Sequence, residues 1–219
     1  AAAKSRKTAK KPKKISKSKK NEIMTVIRQL SSVQKVRKGT RSPKKTSPEK
    51  TFLNPERLLS HRQIETLNDF VNRRVASEPL AYIFGEKEFW SLEFFVSSSV
   101  LIPRPETEII IDIILERYRD KKRSLKILDL GTGSGCILLS LLSEFPKASG
   151  VGIDCSKDAI ELANKNADRH KLLNRATFCY GDWKKKIKGN FDIIVSNPPY
   201  IPTKDISKLE KDISRYEPL

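Results

Sequence analysis

The spacing of apolar positions changes along this chain, and each change marks a part of it. Between 22 and 36, Ile23, Val26, Ile27, Leu30 and Val33 recur every three or four residues. That spacing predicts a short amphipathic helix. Residues 38–50 lose the pattern, with Gly39, Pro43 and Pro48 set among Ser, Thr and Lys, and read as a linker. Helical spacing returns over about 55–76, with Asn54 as N-cap, Pro55 at the first position and Ile64, Leu67, Phe70 and Val71 as the apolar stripe. Glu88 to Val96 carries Phe89, Trp90, Phe94 and Phe95 and predicts a β-hairpin arm. The stretch from Leu101 to Glu108 leads into a helix ending near Arg119, with Thr107 as its cap.

From Lys126 the pattern becomes short apolar runs alternating with helical segments. Strands are predicted at 127–130, 150–154, 176–180 and 191–196, with helices over 135–145 and from 157 to 170. Short buried strands joined by helices pack as an α/β, Rossmann-like, doubly wound parallel sheet with right-handed crossovers. Three parts follow: a tail over 1–50, a helix and hairpin over 51–100, and the α/β domain over 101–219.

Charge changes the picture of the first part only. Of 44 Lys and Arg, 18 lie in residues 1–50 beside just two acids, Glu22 and Glu49. The tail thus carries +16 of the net +18, and the remaining 169 residues carry +2. Residues 1–20 hold ten basic residues, no acid and one apolar residue larger than alanine, Ile15. Such a segment cannot bury enough surface to offset its ordering entropy and is expected to be disordered. Three readings of it stay open: a solubilising leader, an electrostatic arm for RNA, DNA or the ribosome, and a mitochondrial presequence. No apolar run approaches the length of a membrane span. Cys136, Cys155 and Cys179 lack metal-ligand spacing and read as free thiols of a reducing compartment, the cytoplasm.

Candidate chemistry gathers at the predicted strand ends. Asp129-Leu130 runs into Gly131-Thr132-Gly133-Ser134-Gly135 and then a helix. Dinucleotide loops need glycine where Cys136 stands, and phosphate loops need a lysine after the last glycine. A tight G-x-G-x-G suits S-adenosylmethionine, which has no phosphates to cradle. Asp154 closes the second strand, where a carboxylate can accept from both ribose hydroxyls. After the third strand, Asp182 can pair with the adenine amino group and Trp183 can pack on the adenine face. The fourth strand ends in Asn197-Pro198-Pro199-Tyr200. The two prolines fix this corner. The Asn197 side-chain oxygen and the Pro198 carbonyl can accept the two N–H groups of a planar NH2, with Tyr200 packed on its face. The chemistry implied is methyl transfer to a planar nitrogen.

These residues resemble the protein-(glutamine-N5) methyltransferases that modify peptide chain release factors, the HemK-type enzymes. The resemblance covers about 57–219. It rests on Arg73-Arg74, Glu78 to Gly85, Leu101 to Glu108, Asp129 to Gly135, Asp182-Trp183 and Ile194 to Ile201, with Pro103 to Glu108 its most specific block. It implies the fold of class I S-adenosylmethionine-dependent methyltransferases. It also implies cofactor contacts from Gly131 to Gly135, Asp154, Trp183 and Asn197, and a site for a release factor's Gly-Gly-Gln glutamine at Asn197 to Tyr200. Asn-Pro-Pro-Tyr also occurs in adenine-N6 methyltransferases, so methylation of DNA or RNA stays open, as does an inactive nucleic-acid or ribosome-binding module. Four core strands where this fold usually has seven predict an incomplete sheet, an uncovered edge at strand four, and little or no activity for this chain.

Overall fold

The computed structural model describes residues 61–183, 189–198 and 211–218. The tail, the helix expected at 22–36, the linker and the start of the helix expected from 55 lie outside these residues. The chain divides into two compact units, residues 1–76 and 77–219. In the first, α1 (His61–Val75) forms where the spacing predicts a helix. Leu67, Phe70 and Val71 are half-buried and Ile64 is exposed.

The second unit opens with α2 (Leu80–Phe84), set between Pro79 and Gly85. The expected hairpin follows as β1 (Glu86–Phe89) and β2 (Leu92–Phe95), paired antiparallel from Glu86↔Phe95 to Phe89↔Leu92. Its two turn residues, Trp90 and Ser91, both take positive φ, 51° and 56°. That left-handed pair matches the twist of the strands. Neither residue favours it, and hydrogen bonds hold the turn in place: Trp90 N donates to Glu108 Oε1 at 2.8 Å and Trp90 Nε1 to Glu144 Oε1 at 3.0 Å.

A 3-10 turn over Pro105–Glu108 then leads into α3 (Ile109–Arg117). Here the expectation for Thr107 is corrected. The N-cap of α3 is Glu108, no side chain caps it, and Thr107 lies one residue earlier, inside the 3-10 turn, with its hydroxyl engaged elsewhere.

The α/β repeat comprises β3 (Lys126–Leu130), α4 (Cys136–Glu144), β4 (Ser149–Asp154), α5 (Lys157–Arg169), β5 (Ala176–Tyr180), β6 (Ile193–Ser196) and a final short helix α6 (Lys211–Tyr216). The sheet has the order β5-β4-β3-β6 and every pairing is parallel. This is the doubly wound arrangement expected. The chain runs outward from β3 through β4 to β5, then crosses back to β6 on the other side of β3.

Burial explains the sequence of these elements. Ile127, Leu128 and Asp129 of the central β3 are all buried, so the strand reads as a continuous run rather than an alternation. Ile137 to Leu142 are buried all round α4, as expected of a helix that is apolar on every face. Phe89 and Phe94 of the hairpin enter the same core as α4, β3 and β5. On α5 the buried stripe is Ala159, Ala163 and Ala167, spaced four apart. Its N-terminus is capped by Ser156, whose hydroxyl accepts from Ala159 N at 3.2 Å. Arg175 closes the C-terminal end of α4, donating to Leu142 O, Phe145 O and Ala148 O at 2.9–3.0 Å. Among the described residues no helix is long and apolar enough to cross a membrane.

Candidate functional site

Strand register builds the site. Leu130 pairs with Ser196 on one side and with Ile153 on the other, and Asp154 pairs with Tyr180. One residue further on, Asn197, Gly131 and Asp154 therefore end adjacent strands in one row, beside Tyr180. Strand order reverses between β3 and β6, and open α/β sheets bind ligands at that switch, beyond the carboxyl ends of the strands. Gly131 and Asn197 are its two walls.

The loop between β3 and α4 is held from beneath. Gly131 N and Thr132 N donate to Ile153 O at 2.8 and 3.0 Å. Gly131, Gly133 and Gly135 all take positive φ, a conformation that a side chain would strain. Thr132 and Ser134 are buried. Thr132 Oγ1 donates to Asp129 Oδ2 at 2.7 Å, and Ser134 O accepts from Asn166 Nδ2 at 2.8 Å. The backbone is what this loop offers. Among the described residues, a Cβ built on Gly133 would meet only Val100 Cβ, at 4.0 Å.

Asp154 lies at the mouth. Its Oδ2 accepts from Gly133 N and its Oδ1 from Ser156 N, each at 2.9 Å. Both oxygens thus brace the loop, and each keeps further acceptor capacity for a ligand hydroxyl. Trp183 reaches the same loop, with its ring against Gly131: a Cβ there would lie 2.7 Å from Trp183 Cζ3. Asp182 is exposed beside it. Asn197 is half-buried and Pro198 exposed. Asn197 Nδ2 donates to Thr107 Oγ1 at 3.3 Å. Pro199 and Tyr200 lie outside the described residues.

Two residues that the sequence pattern does not single out belong to this architecture. Asp129 is completely buried beneath the loop. Burial pushes its carboxyl up to about 6, against the pull of the Thr132 hydroxyl, and its Oδ1 has no hydrogen-bond partner among the described residues. Asn166, also fully buried, accepts from Phe95 N at 2.7 Å and donates to Phe95 O at 3.1 Å as well as to Ser134 O. It ties the hairpin to the glycine loop. No cluster of three or more His, Cys, Asp or Glu able to hold a metal occurs among the described residues. The three cysteines are free, and burial pushes the Cys136 thiol up to about 12, which leaves it inert.

Comparison with known proteins agrees with this geometry. Residues 121–217 match a family described as a methyltransferase domain, and residues 44–85 match the PrmC N-terminal domain. The chain is 46% identical over 165 residues to a release factor glutamine methyltransferase of Caulobacter vibrioides, covering 75% of this chain and 57% of that protein. It is 48% identical over 167 residues to one of Buchnera aphidicola subsp. Schizaphis graminum, covering 76% and 59%. With one of Bradyrhizobium diazoefficiens the values are 43% over 164 residues, 74% and 55%. The chain thus spans a little over half the length of the curated relatives it matches. By sequence, residues 121–217 match a methyltransferase domain, and the chain is 43–48% identical to release factor glutamine methyltransferases over 74–76% of its length.

Proposed function

We propose that this chain carries the site of an S-adenosylmethionine-dependent enzyme that methylates the side-chain nitrogen of the Gly-Gly-Gln glutamine in a peptide chain release factor. The observation that carries the reading is the pairing at the switch point. Asn197 ends β6 beside Gly131 with its amide nitrogen already bonded to Thr107, which leaves its Oδ1 as an acceptor.

The residues present fit the cofactor. The loop has three left-handed glycines that expose backbone and a carboxylate at its mouth. Gly131 to Gly135 would hold the methionine part, Asp154 the ribose, and Asp182 with Trp183 the adenine, while Asn197 borders the reacting methyl. Bound there, S-adenosylmethionine would supply a methyl group on a sulfonium, with the thioether as the leaving group that takes the bond pair.

The protein's task is to make a poor nucleophile attack. A carboxamide nitrogen shares its lone pair with its carbonyl. Asn197 Oδ1 and the Pro198 carbonyl accept its two N–H groups, which fixes the direction of the nitrogen and favours the positive charge it gains as the N–C bond forms. No strong base is needed before attack. One proton leaves afterwards to water, restoring a neutral amide. By their place in the sequence, Pro199 stiffens the corner and Tyr200 packs on the planar group.

Free thiols at Cys155 and Cys179, both exposed, support a reducing compartment such as the cytoplasm. The +16 of residues 1–50 supports a nucleic-acid or ribosome contact through the tail. Deleting residues 1–50 is expected to weaken RNA binding and to leave methyl transfer intact.

The test offers tritiated methyl donor to a full-length version of the protein with release factor, duplex DNA and RNA in separate reactions. Label is expected in the release factor. Asn197→Ala is expected to lower transfer at least a hundredfold, about 3 kcal/mol in the barrier, with a smaller loss of cofactor affinity. Label in DNA or RNA instead assigns the site to adenine-N6 chemistry.

A further inference from the structure

We propose that Thr107 is the positioning residue for Asn197, holding its side-chain amide at the corner after β6. This rests on the reading of Asn197 as the acceptor for a substrate N–H.

If the Asn197 side chain swings away from the corner, the substrate nitrogen loses one of its two anchors. Something must therefore hold the side chain in place. The backbone cannot: Pro198 restricts Asn197 to extended geometry but leaves the side-chain torsions free. Among the described residues, the one side-chain hydrogen bond of Asn197 runs from Nδ2 to Thr107 Oγ1, at 3.3 Å and across 90 residues of sequence.

Thr107 is itself well placed to act as a fixed post. It sits inside the 3-10 turn Pro105–Glu108, which begins with a proline. Its N–H donates to Arg104 O at 3.0 Å. Arg104 Nη2 donates to both carboxylate oxygens of buried Glu217, at 2.6 and 2.8 Å. On the other side Glu108 accepts from Trp90 N at the hairpin turn. The block Pro103 to Glu108 thus touches the C-terminal helix region, the β6 corner and the hairpin through successive residues. Its presence far upstream of the glycine loop is explained if its business is to place one hydroxyl under Asn197.

The test uses the full chain with Thr107→Val, which keeps the shape and loses the hydroxyl, and Thr107→Ser, which keeps the hydroxyl. Two readouts are taken: steady-state methyl transfer to the release factor, and the side-chain NH2 resonances of Asn197 in a 15N–1H spectrum, identified by their loss in Asn197→Asp. Thr107→Val is expected to lower kcat about tenfold, the rate equivalent of one net hydrogen bond, with cofactor affinity unchanged. It is also expected to shift the Asn197 pair, and Thr107→Ser to restore both. An Asn197 pair unmoved by Thr107→Val overturns the inference whatever the activity. If the wild-type chain labels no substrate while the pair moves in Thr107→Val and returns in Thr107→Ser, the hold on Asn197 stands, and the proposed reaction is what has failed.

Discussion

A single nitrogen of Arg104, Nη2, donates to both oxygens of Glu217, at 2.6 and 2.8 Å, across 113 residues of sequence. The Glu217 side chain is 2% exposed and that of Arg104 36%. The pair lies by a small apolar cluster of Tyr82, Val96, Val100, Ile102 and Ala159, to which Tyr216 adds its ring. Burial and the Glu217 charge push the Tyr82 phenol well above its usual range, so it stays a donor, to Val100 O at 2.6 Å. An ion pair of this kind holds the C-terminal helix against the block that carries Thr107.

Removing one partner from such a pair strands the other charge. Arg104→Ala is expected to cost about 3 kcal/mol in urea unfolding, and Arg104→Met with Glu217→Leu together to recover most of it. Equal losses in the single and double variants would show that the charges are not coupled.

Asn166 is expected to be as sensitive. Asn166→Ala leaves Phe95 N, Phe95 O and Ser134 O without their partner, a loss of about 3 kcal/mol or more. Because Ser134 belongs to the glycine loop, the same variant is expected to weaken cofactor binding measured by calorimetry. Hydrogen exchange at the Phe95 amide should accelerate with it.

The parallel sheet is legible in the sequence because its strands are short apolar runs set between helical segments; β5 lies at 176–180 as expected, and β3 and β4 begin one residue early. Strand β6 begins at Ile193 rather than Phe191, since Asp192 uses its side chain on Lys126 N, where β3 begins. Helix α2 leaves no periodic signal because Leu80 to Phe84 is a single turn, although Pro79 before it and Gly85 after it, at φ 74°, bracket it. Of the site, the glycine loop, Asp154 and Asn197 are local signals at strand ends. The contacts Asn166–Phe95, Arg104–Glu217 and Thr107–Asn197 join residues 71 to 113 positions apart, and no local pattern encodes them.

The glycines of the loop predict different outcomes from the same substitution. Gly131 and Gly133 have φ of 72° and 53°, so alanine strains either by about 1–2 kcal/mol. Of these two, Gly131 is the one whose new Cβ meets an aromatic ring, Trp183, at 2.7 Å. Gly131→Ala is therefore expected to displace Trp183 and shift its emission, and Gly133→Ala to leave it unchanged, both read in a Trp90→Phe background. A matching shift in both variants would place the Trp183 ring elsewhere.

Asp129 should give the unfolding free energy a dependence on pH. Its carboxyl is completely buried, and burial raises it from 3.8 to about 6. A group that binds its proton more tightly when folded stabilises the fold fully below its unfolded pKa and loses that contribution as pH rises through the folded one. The loss therefore falls between about pH 4 and pH 7, and a rise of this size corresponds to about 3 kcal/mol. Asp129→Asn keeps the shape and a partner for the Thr132 hydroxyl without a titrating proton. Its stability should stay level over this range while that of the wild type declines, so the difference between them should move by about 3 kcal/mol in favour of the variant between about pH 4 and pH 7, measured by urea unfolding at each pH. A constant difference would mean that the carboxyl beneath the loop is solvated or paired in the folded chain.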